Sequence, residues 1–531
     1  MFMEVIAFMF TKRMKRKNII ILSVLILLSL ILPLLFMSAC SKPAENSEES
    51  DNNKQGNDSP GGNGNGNEKS EDITEEPFPE PDVPVKDYGG ISFNVLYPFW
   101  GAFETQLFGD EETSAGTELD DAIWKRNKKI EDQINIKFNP IVIGQRGDDS
   151  IKKIQPQVRK SVMAGDGSYD LVFIHPMCDL DAFAKSQLLR NFNKMPYVDL
   201  TQPYWNQSLK DTLEIHGVLL FAANDMIIPS PTAVFFNKKI LADYQMDNPY
   251  EFVRNGTWTW DKFLQMAKQV TQDLNGDGKY DENDLYGLGL LLDGSGMISM
   301  MHACDQYITR RDEDGKPVLD VMSEKLVSLV DKMYDIVWNG NQTYTWDLHV
   351  WDDIAKREEM DNFFPKGHSL FLLNSPGTGA SKELRAMDVD FGILPYPKYN
   401  ETQKDYISLN TAGLFCVPQD VKDPEMVGIV CELLGSESRR YTIPAYYDVL
   451  LTHKGVRDDD SLEMMKLIFD NVVYDFGYNY SNFTNLAYIV PRIIEQKSTD
   501  VASFVEKNAP PAEKDLESAY KNLIKYEDLD F

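Results

Sequence analysis

The chain has 531 residues, with 83 Asp and Glu against 53 Lys and Arg, so its formal net charge at pH 7 is −30. This length accommodates two or three domains, and so acidic a surface excludes nucleic acid as a partner because phosphates require a basic face. The same charge opposes direct adsorption to an anionic membrane.

The first 40 residues have the organisation of a bacterial secretion signal. A basic cluster at residues 12–17 precedes a nearly uninterrupted apolar run over 19–37, and small residues then lead to Cys40. A basic segment, an apolar segment and small residues before a cleavage point are typical of a signal peptide. The Cys directly after Ser38-Ala39 resembles a bacterial lipobox, which implies cleavage before Cys40 and diacylation of this residue.

An uncleaved transmembrane anchor is the alternative, since the apolar run is long enough to span a bilayer. Met14 is a second conventional start. In every case the body of the protein lies outside the membrane, and we expect a lipid anchor on the extracellular face of the cell membrane, because polar sequence follows Cys40 directly. Removing residues 1–39 takes away five basic residues and one acidic residue, which leaves 48 against 82 and a net charge of −34.

Residues 40–87 are predicted to be a disordered tether. Between Ser41 and Pro81 the only apolar side chains besides proline are Ala44, Ile73 and Phe78. So few apolar groups cannot offset the entropy that ordering the segment would lose.

Four cysteines remain beyond Cys40. They lack the spacing of a zinc site and are too sparse for a disulfide scaffold. We interpret them as buried, small apolar residues, and the sequence leaves their disulfide state open. They are Cys178, Cys304, Cys416 and Cys431.

From residue 91 the chain alternates predicted strands and amphipathic helices. Leu171–Ile174 is a short apolar run of the buried, parallel-sheet type that ends at His175. The alternation indicates an α/β fold with a mostly parallel sheet, in which ligands bind beyond the carboxyl ends of strands. Further strands are predicted at 91–97, 136–142, 217–223, 234–237, 370–373, 391–394 and 413–417; helices at 117–134, 151–165, 260–270 and 424–434; and mostly helical structure over 286–370 and from Ser438 onward.

Residues 273–284, D-L-N-G-D-G-K-Y-D-E-N-D, have the spacing of a calcium-binding loop. Oxygen-bearing side chains occupy positions 1, 3, 5, 9 and 12, glycine occupies position 6, and position 7 offers its carbonyl. Position 12 is Asp where Glu is usual, which weakens bidentate contact. The alternative is an Asp-, Asn- and Gly-rich turn without metal. We expect a structural Ca²⁺ held by Asp273, Asn275, Asp277, Lys279, Asp281 and Asp284.

Motifs of catalysis are missing from the sequence. It contains no H-E-x-x-H among its six His, no G-x-S-x-G and no G-x-x-x-x-G-K. A glycosidase carboxylate pair is invisible in a chain with so many carboxylates. A lipid-anchored, glycan-processing enzyme therefore stays open as an alternative, as does a surface adhesin.

Several stretches carry a family resemblance. They are D-A-I-W-K-R-N-K-K-I-E at 121–131, F-F-N-K-K-I-L at 235–241, G-T-W-T-W-D at 256–261, the 273–284 loop, Tyr286-Gly287, I-L-P-Y-P at 393–397, P-A-Y-Y-D-V at 444–449 and R-D-D-D-S at 457–461. In this order and spacing they resemble the extracellular solute-binding proteins of bacterial ABC importers, the family that includes maltose-binding protein, and most of all its long lipoprotein members in Firmicutes.

The resemblance implies two α/β lobes joined by crossing strands, a ligand cleft between them, and hinge closure that presents a closed form to an ABC permease. By analogy, lobe 1 is 88–223 with 402–437, and lobe 2 is 224–401 with 438–531. It implies a monomer that performs no covalent chemistry. The expected ligand is a small-molecule solute, in particular an oligosaccharide, although amino acids, peptides and polyols are not excluded.

Sugar rings stack their apolar faces on aromatic side chains, and their hydroxyls take polar partners, so candidate ligand residues are aromatic or polar residues at strand ends and in loops. Each aromatic is alternatively a core residue, and this is the interpretation we prefer for Trp258 and Trp260. Tyr446 and Tyr447 match the family's late aromatic pair. The neighbours of Trp346 and Trp351, which are Asp347, Asp352 and Asp353, predict a loop. The candidates are Trp100, His175, Asn224, Asp225, Trp346, Trp351, Asn374, Tyr446 and Tyr447.

Overall fold

A computed structural model describes residues 80–99, 107–108, 118–144, 148–176, 178–292, 294–347, 349–350, 353–452, 458–480 and 484–529. The predicted secretion signal, Cys40, residues 41–79 of the tether predicted for 40–87, Trp100 and Trp351 lie outside these residues. All of the described residues belong to one compact unit, Glu75–Phe531. Among them, no helix combines the length and the apolar character that crossing a bilayer would need.

The described residues form two main sheets and two short strand pairs. The strands are β1 (Ile91–Pro98), β2 (Ile136–Ile143), β3 (Leu171–Ile174), β4 (Ala233–Asn237), β5 (Tyr286–Leu291), β6 (Thr309–Arg311), β7 (Pro317–Leu319), β8 (Thr343–Trp346), β9 (Ser369–Asn374), β10 (Phe391–Pro395), β11 (Ser408–Leu409), β12 (Leu414–Cys416) and β13 (Val472–Val473).

Helices surround both sheets. They are α1 (Glu118–Ile134), α2 (Asp148–Ala164), α3 (Leu180–Lys185), α4 (Gln207–Leu213), α5 (Lys238–Asp243), α6 (Pro249–Arg254), α7 (Trp260–Val270), α8 (Ser295–Ile298), α9 (Met300–Ala303), α10 (Glu324–Trp338), α11 (Ile354–Phe363), α12 (Lys382–Arg385), α13 (Pro424–Glu437), α14 (Ile443–Thr452), α15 (Asp459–Asp470), α16 (Phe476–Tyr480), α17 (Thr484–Ala487), α18 (Ile489–Glu495) and α19 (Val501–Ile524).

The first sheet, the centre of the first lobe, has the strand order β12-β3-β1-β2. Strand β1 runs parallel to β2, with Ile91 opposite Ile136, and parallel to β3, with Val95 opposite Leu171. Strand β12 is antiparallel to β3. The four side chains of β3 are buried, which confirms the predicted central strand of a mostly parallel sheet.

The second sheet, the centre of the second lobe, has the order β10-β4-β9-β5-β8. Strand β5 is parallel to β8 and β9, whereas β4 is antiparallel to β9 and β10. Trp258, two residues before α7, and Trp260, its first residue, are fully buried, as predicted for core residues. The Trp258 indole donates to the carbonyl of Pro395 at 2.9 Å, which fastens the start of α7 to the end of β10.

Helix starts follow local sequence signals. The side chain of Thr259 accepts from the amide of Lys262 to cap α7, and Asp423 accepts from Met426 to cap α13 with Pro424 at its first turn. These caps satisfy amides that have no partner within the helix. The predicted helices at 260–270 and 424–434 are confirmed, because periodic apolar positions and caps agree there.

Two predictions of secondary structure are wrong. Residues 217–223 make isolated bridges, Ile215 with Val218 and Ala222 with Phe415, and form no strand. Residues 286–370 are not mostly helical, since they contain β5 to β8 and part of β9. Both errors have the same cause: short apolar runs take their state from the partner they meet, and the partner is remote in sequence.

The two lobes are joined by segments that bond to each other. The amide of Ser230 donates to the side chain of Asn410 at 2.8 Å, and the amide of Asn410 donates to the carbonyl of Val473 at 2.9 Å. Strands β11 and β13 pair in parallel beside them. Two passages of the chain between the lobes, the first near Ser230 and the second at Asn410, therefore meet beside β13.

The cysteines of the described chain are free and buried. Burial raises the pKa of the Cys178 and Cys304 thiols to about 12. This confirms the interpretation of these residues as small apolar core positions.

Candidate functional site

The chain passes between the lobes through a helix that one π-helical turn interrupts. Helix α13 continues into this turn, Ser438–Thr442, and then into α14. Helix α14 packs against α1 of the first lobe and against the 3₁₀ turn Pro376–Ala380 of the second lobe. Helix α14 therefore lies between the lobes, and π-helical turns are frequent at functional sites.

An ion pair stands at the π-helical turn. The Arg439 guanidinium Nε donates to the Asp225 carboxylate, and the side chains are 40% and 19% exposed. Burial raises the pKa of Asp225, and the positive charge of Arg439 opposes this shift. Asp225 follows the bridge between Trp205 and Asn224, so the pair ties the π-helical turn to the first passage between the lobes.

Aromatic rings extend the same surface along α14. Tyr446 and Tyr447 meet edge to face with centroids 6.1 Å apart, and Tyr447 meets Phe469 at 5.6 Å. Burial raises the pKa of Tyr447 to about 12, with contributions from Asp470 and Asp225 and opposition from Arg439. Tyr447 therefore lies within the field of the Asp225–Arg439 pair and remains a neutral phenol at physiological pH.

The second lobe contributes the loop that follows β9. Asn374, the last residue of β9, accepts the amide of Ser375 at 2.8 Å. A Cβ placed on Gly377 would lie 3.7 Å from the Tyr446 hydroxyl. The loop thus approaches the tyrosine pair with its backbone. We call the assembly of Asp225, Arg439, Tyr446, Tyr447 and this loop the interlobe cluster.

His175 follows β3, at the carboxyl end of the first sheet where ligands of α/β sheets bind. Its side chain is 9% exposed. Burial lowers the pKa of His175 to about 4, so the imidazole is neutral at physiological pH. It can exchange hydrogen bonds with a neutral ligand without carrying charge.

Both polar groups of the Asn224 side chain form hydrogen bonds within the protein. Its amide nitrogen donates to the carbonyl of Cys431 at 2.9 Å, and its oxygen accepts the amide of Met226 at 3.1 Å. A Cβ on Gly435 would fall 2.9 Å from the Asn224 amide nitrogen, so glycine is required for this approach. Asn224 holds α13 against the first passage between the lobes and is 3% exposed.

The Asp-rich neighbourhood of Trp346 predicts a loop. In the structure Trp346 is instead the last residue of β8. The side chain is 7% exposed, and its ring meets Tyr344 at 4.9 Å and Phe363 at 5.0 Å. Its indole donates to the Glu359 carboxylate at 3.0 Å. Trp346 therefore packs beneath α11 as part of a small aromatic core.

Of the nine predicted ligand residues, the structure brings together Asp225, Tyr446 and Tyr447, with Asn374 on the adjoining loop. Arg439 was missed by the sequence analysis, because a basic residue in a helical tail is usually solvated. Its only signal is its position seven residues before the tyrosine pair.

The 273–284 loop is held by its own side chains. The two Asp273 oxygens accept the amides of Gly276 at 2.7 Å and Gly278 at 2.8 Å. Gly278 has φ +80°, the left-handed conformation that position 6 of such a loop requires. Asp284 is fully buried, and it accepts the amides of Leu274 and Asp281, both at 2.9 Å.

The donors of this loop fit a hard cation in type, since they are carboxylate, amide and carbonyl oxygens. Within the described ranges, however, no three His, Cys, Asp or Glu side chains are gathered closely enough to hold a metal ion. The carboxylates point to loop amides instead. An oxygen that accepts one amide keeps a second lone pair, so calcium in this loop stays a prediction.

The interlobe cluster offers neutral phenols, one carboxylate neutralised by one guanidinium, and backbone from the second lobe. Such a set hydrogen-bonds hydroxyls and stacks on an apolar ring face, and it carries little net charge for an ionic ligand.

Comparison with known proteins places the chain in context. Residues 130–428 match the sequence profile of a family described as bacterial extracellular solute-binding protein. No curated protein sequence is significantly similar to the chain. Its fold is similar to an ABC substrate-binding protein from Listeria monocytogenes, solved in complex with cycloalternan, with a TM-score of 0.51, 15% identity and coverage of 83% of this chain and 100% of that one.

A second similar structure is an ABC transporter solute-binding protein from Thermotoga lettingae, bound with α-D-tagatose. It has a TM-score of 0.51 and 15% identity, and the match covers 80% of this chain and 100% of that one. Both similarities identify a two-lobed α/β fold of the periplasmic-binding-protein type.

Proposed function

The chain belongs to the family of bacterial extracellular solute-binding proteins, and from this membership we propose that it captures an oligosaccharide outside the cell and delivers it to an ABC permease. Ligand binds between the lobes, which then close about the hinge at Asn410. The closed form is the one that a permease recognises.

The observation that carries the proposal is the interlobe cluster. Tyr446 and Tyr447 provide ring faces and hydroxyls between the lobes, and the Asp225–Arg439 pair adds an acceptor and a fork of donors. A sugar has the complementary surface, with apolar C–H faces and a rim of hydroxyls. An anionic solute is a poorer match, because Arg439 is already neutralised by Asp225.

The ligands bound by the two similar structures support a sugar as the solute. The Listeria protein was solved with cycloalternan and the Thermotoga protein with α-D-tagatose, and both share the two-lobed fold with this chain. The net charge of −34 that cleavage before Cys40 would leave also disfavours an anionic solute, because it repels anions.

We further propose a lipid anchor at Cys40 that keeps a monomeric protein on the outer face of the cell membrane. A second structural proposal is Ca²⁺ at Asp273, Asn275, Asp277, Lys279, Asp281 and Asp284. The basic and apolar segments before Cys40 and the spacing of the loop support these two assignments.

The test is a thermal melt of Glu75–Phe531 at fixed calcium against a panel of oligosaccharides, with amino acids, peptides and polyols beside them. A ligand that binds only the folded state raises the midpoint by mass action. A shift with an oligosaccharide series and with no other class supports the proposal. A shift with peptides or amino acids alone contradicts it.

Tyr447 tests where the sugar binds. Tyr447→Ala is expected to weaken the affinity for the identified sugar by roughly 10- to 100-fold, because a stacked ring contributes about 1–3 kcal/mol. Tyr447→Phe is the matched control, since it keeps the ring and should retain most of the affinity. Isothermal titration calorimetry measures both variants, and equal affinity of the Ala variant and the natural chain contradicts this site.

Recovery of the bound glycan separates a binding protein from a glycan-processing enzyme. We expect the sugar to be recovered intact after overnight incubation with the protein, as measured by mass spectrometry. Cleaved or rearranged glycan would instead favour an enzyme. Binding of immobilised host or microbial surface ligands without any free sugar would favour an adhesin.

A further inference from the structure

Two parts of the chain reach from the second lobe to the first beside the hinge. One is the β6–β7 hairpin, residues 309–319. It emerges between α9 and α10, and α10 packs against β8 of the second sheet and forms the ion pair Lys268–Asp335 with α7 at 2.8 Å. The other is α19, whose two halves contact different lobes. We call the hairpin and α19 together the strap.

Arg311, the last residue of β6, forms hydrogen bonds to the first lobe. Its Nη2 donates to the carbonyls of Thr212 at 2.6 Å and Glu214 at 2.7 Å, and Nη1 donates to Gly315 of its own hairpin at 2.8 Å. The carbonyls of Thr212 and Glu214 lie at the C-terminal end of α4, where carbonyls lack partners within the helix and the helix dipole attracts a cation. The Arg311 guanidinium, which belongs to the second-lobe hairpin, thus caps the C-terminal end of a first-lobe helix.

The start of the hairpin also forms hydrogen bonds to the segment that follows β13, beside the hinge. The Asp475 carboxylate, two residues after β13, accepts the amide of Ile308 at 2.6 Å and the hydroxyl of Thr309 at 2.8 Å. Helix α4 packs against β13 as well. The strap and the passages between the lobes are therefore one connected structure.

Helix α19 extends for about 36 Å by its 24 residues. It packs on α17 and α18, and Asn485 of α17 donates to Asn508 in its first half at 2.9 Å, while α18 packs on α10 of the second lobe. Its last turns bond to the first lobe, where Asn522 donates to Asp181 at 2.9 Å. Between these ends, Lys316 of the hairpin forms an ion pair with Glu517.

Pro510 and Pro511 stand in the middle of α19. Neither residue has an amide proton, so the helix lacks two backbone hydrogen bonds at this point, and proline inside a helix is the usual cause of bending. The most flexible point of α19 thus lies between its contacts with the second lobe and its contacts with the first lobe.

We propose that the hairpin and α19 form a strap that limits the angle through which the two lobes move, with Arg311 as its latch and Pro510–Pro511 as its flexible point. Hinge motion changes the distance between α4 and the hairpin. The motion must therefore break the Arg311 hydrogen bonds, while α19 bends to keep both of its attachments. The inference rests on the lobe closure proposed above, and it holds for any ligand because the contacts that carry it lie within the chain.

The experiment measures the distance between the lobes in the ligand-free protein by double electron–electron resonance. Spin labels are attached at Met163→Cys in α2 and Ile354→Cys in α11, whose native side chains are 75% and 79% exposed. The native thiols of the described chain are buried and free, so they react slowly with the label. Circular dichroism confirms that each variant is folded.

We expect a single narrow distance distribution for the labelled protein, and a broader distribution with an additional maximum for Arg311→Ala. Arg310→Ala is the matched control. Arg310 is the neighbouring residue of the same strand, 57% exposed, and it pairs at 3.5 Å with Asp320 of its own lobe. Its distribution should coincide with that of the parent protein.

Lys316→Ala removes the surface ion pair between the hairpin and α19. If Arg311→Ala does not fold, the distance distribution of Lys316→Ala tests the strap in its place. Unchanged distributions in the folded variants would overturn the strap. In the Arg311→Ala background, replacing Pro510 and Pro511 with Ala restores two helix bonds and should narrow the distribution again. An unchanged width there would exclude the prolines as the flexible point.

Discussion

Two titratable residues bracket the central strand of the first lobe. Asp170 precedes β3, and its amide and carboxylate both bond to the backbone of Asn94, at 2.9 and 2.7 Å. Burial raises the pKa of Asp170 to about 6, against an opposing contribution from the Asn94 amide. His175 follows β3, and burial lowers its pKa to about 4. In both cases the buried strand disfavours the charged form.

Asp170→Asn is expected to stabilise the protein above pH 6. The folded-state pKa of Asp170 is above its unfolded value of 3.8, so its contribution to stability is fully present below pH 3.8 and is lost as the pH rises through 6. The loss is about 3 kcal/mol for roughly two pKa units. Urea unfolding at pH 4.5 and 7.5 should show the variant gaining stability over the natural chain as the pH rises.

Asp166→Asn is the control with the opposite sign. Asp166 is exposed, and hydrogen bonds from Ser161 and Ser168 lower its pKa. Its contribution is present at neutral pH and is lost as the pH falls through the folded-state pKa. Equal pH profiles for the two variants would show that the burial of Asp170 has no effect on stability.

At the scale of single elements, the 273–284 loop combines a local sequence pattern with long-range anchoring. Its ends pair as Gln272 with Leu285, and the carbonyl of Asp284 contacts the His368 imidazole at 3.2 Å. The Tyr286 hydroxyl donates to the carbonyl of Asp281 at 3.0 Å. The second lobe therefore holds both ends of the loop close together, as a cation site from one loop requires.

Asp273→Ala is expected to remove the stabilisation that calcium provides. In the natural chain, millimolar Ca²⁺ should raise the free energy of unfolding by roughly 1–3 kcal/mol relative to the chelated protein, because the ion binds the folded loop. The variant should melt at the same temperature with and without calcium. Differential scanning calorimetry measures the four midpoints, and no effect of chelation on the natural chain contradicts the calcium site.

Asp312→Ala is the matched control for this element. Asp312 lies in the turn of the β6–β7 hairpin and accepts the amides of Asp314 at 3.0 Å and Lys316 at 2.9 Å. It thus makes the same kind of turn bond as Asp273 but lacks the calcium spacing. Its loss should lower the midpoint equally in calcium and in chelator.

Elements were predictable where one local signal sufficed. The apolar run of β3, the cap and periodic face of α7 and the Asp423-Pro424 start of α13 each lie within a few residues. The β6–β7 hairpin and β8 escaped prediction because strands this short depend on partners. The neighbours Asp347 and Asp352 predict a loop around Trp346, whereas Trp346 ends β8 and α11 covers it through Phe363.

At the scale of the whole molecule, the main electrostatic feature is the excess of acidic over basic residues. The chain carries a formal net charge of −30 at pH 7, and like charges spread over one surface repel each other more in the folded state than in the expanded unfolded chain. Salt shortens the range of this repulsion from about 30 Å at 0.01 M to about 10 Å at 0.1 M.

We expect the melting temperature of Glu75–Phe531 to rise by roughly 2–5 °C between 10 and about 300 mM NaCl, because screening relieves self-repulsion. The scans are run in chelator so that calcium does not contribute. Choline chloride at equal ionic strength is the control and should give the same shift. A midpoint that falls with either salt would mean that attractive ion pairs outweigh the repulsion.

The sequence by itself determined the features that are local or additive: the acidic composition, the α/β alternation, the loop spacing at 273–284 and the family to which the stretches from residue 121 onward point. Only the tertiary structure decided which candidates meet. Asp225 and Arg439 are 214 positions apart, and their pairing follows from the packing of α13 on the first passage between the lobes. Periodicity reports one face of one element, whereas a site between lobes depends on how several elements close on each other.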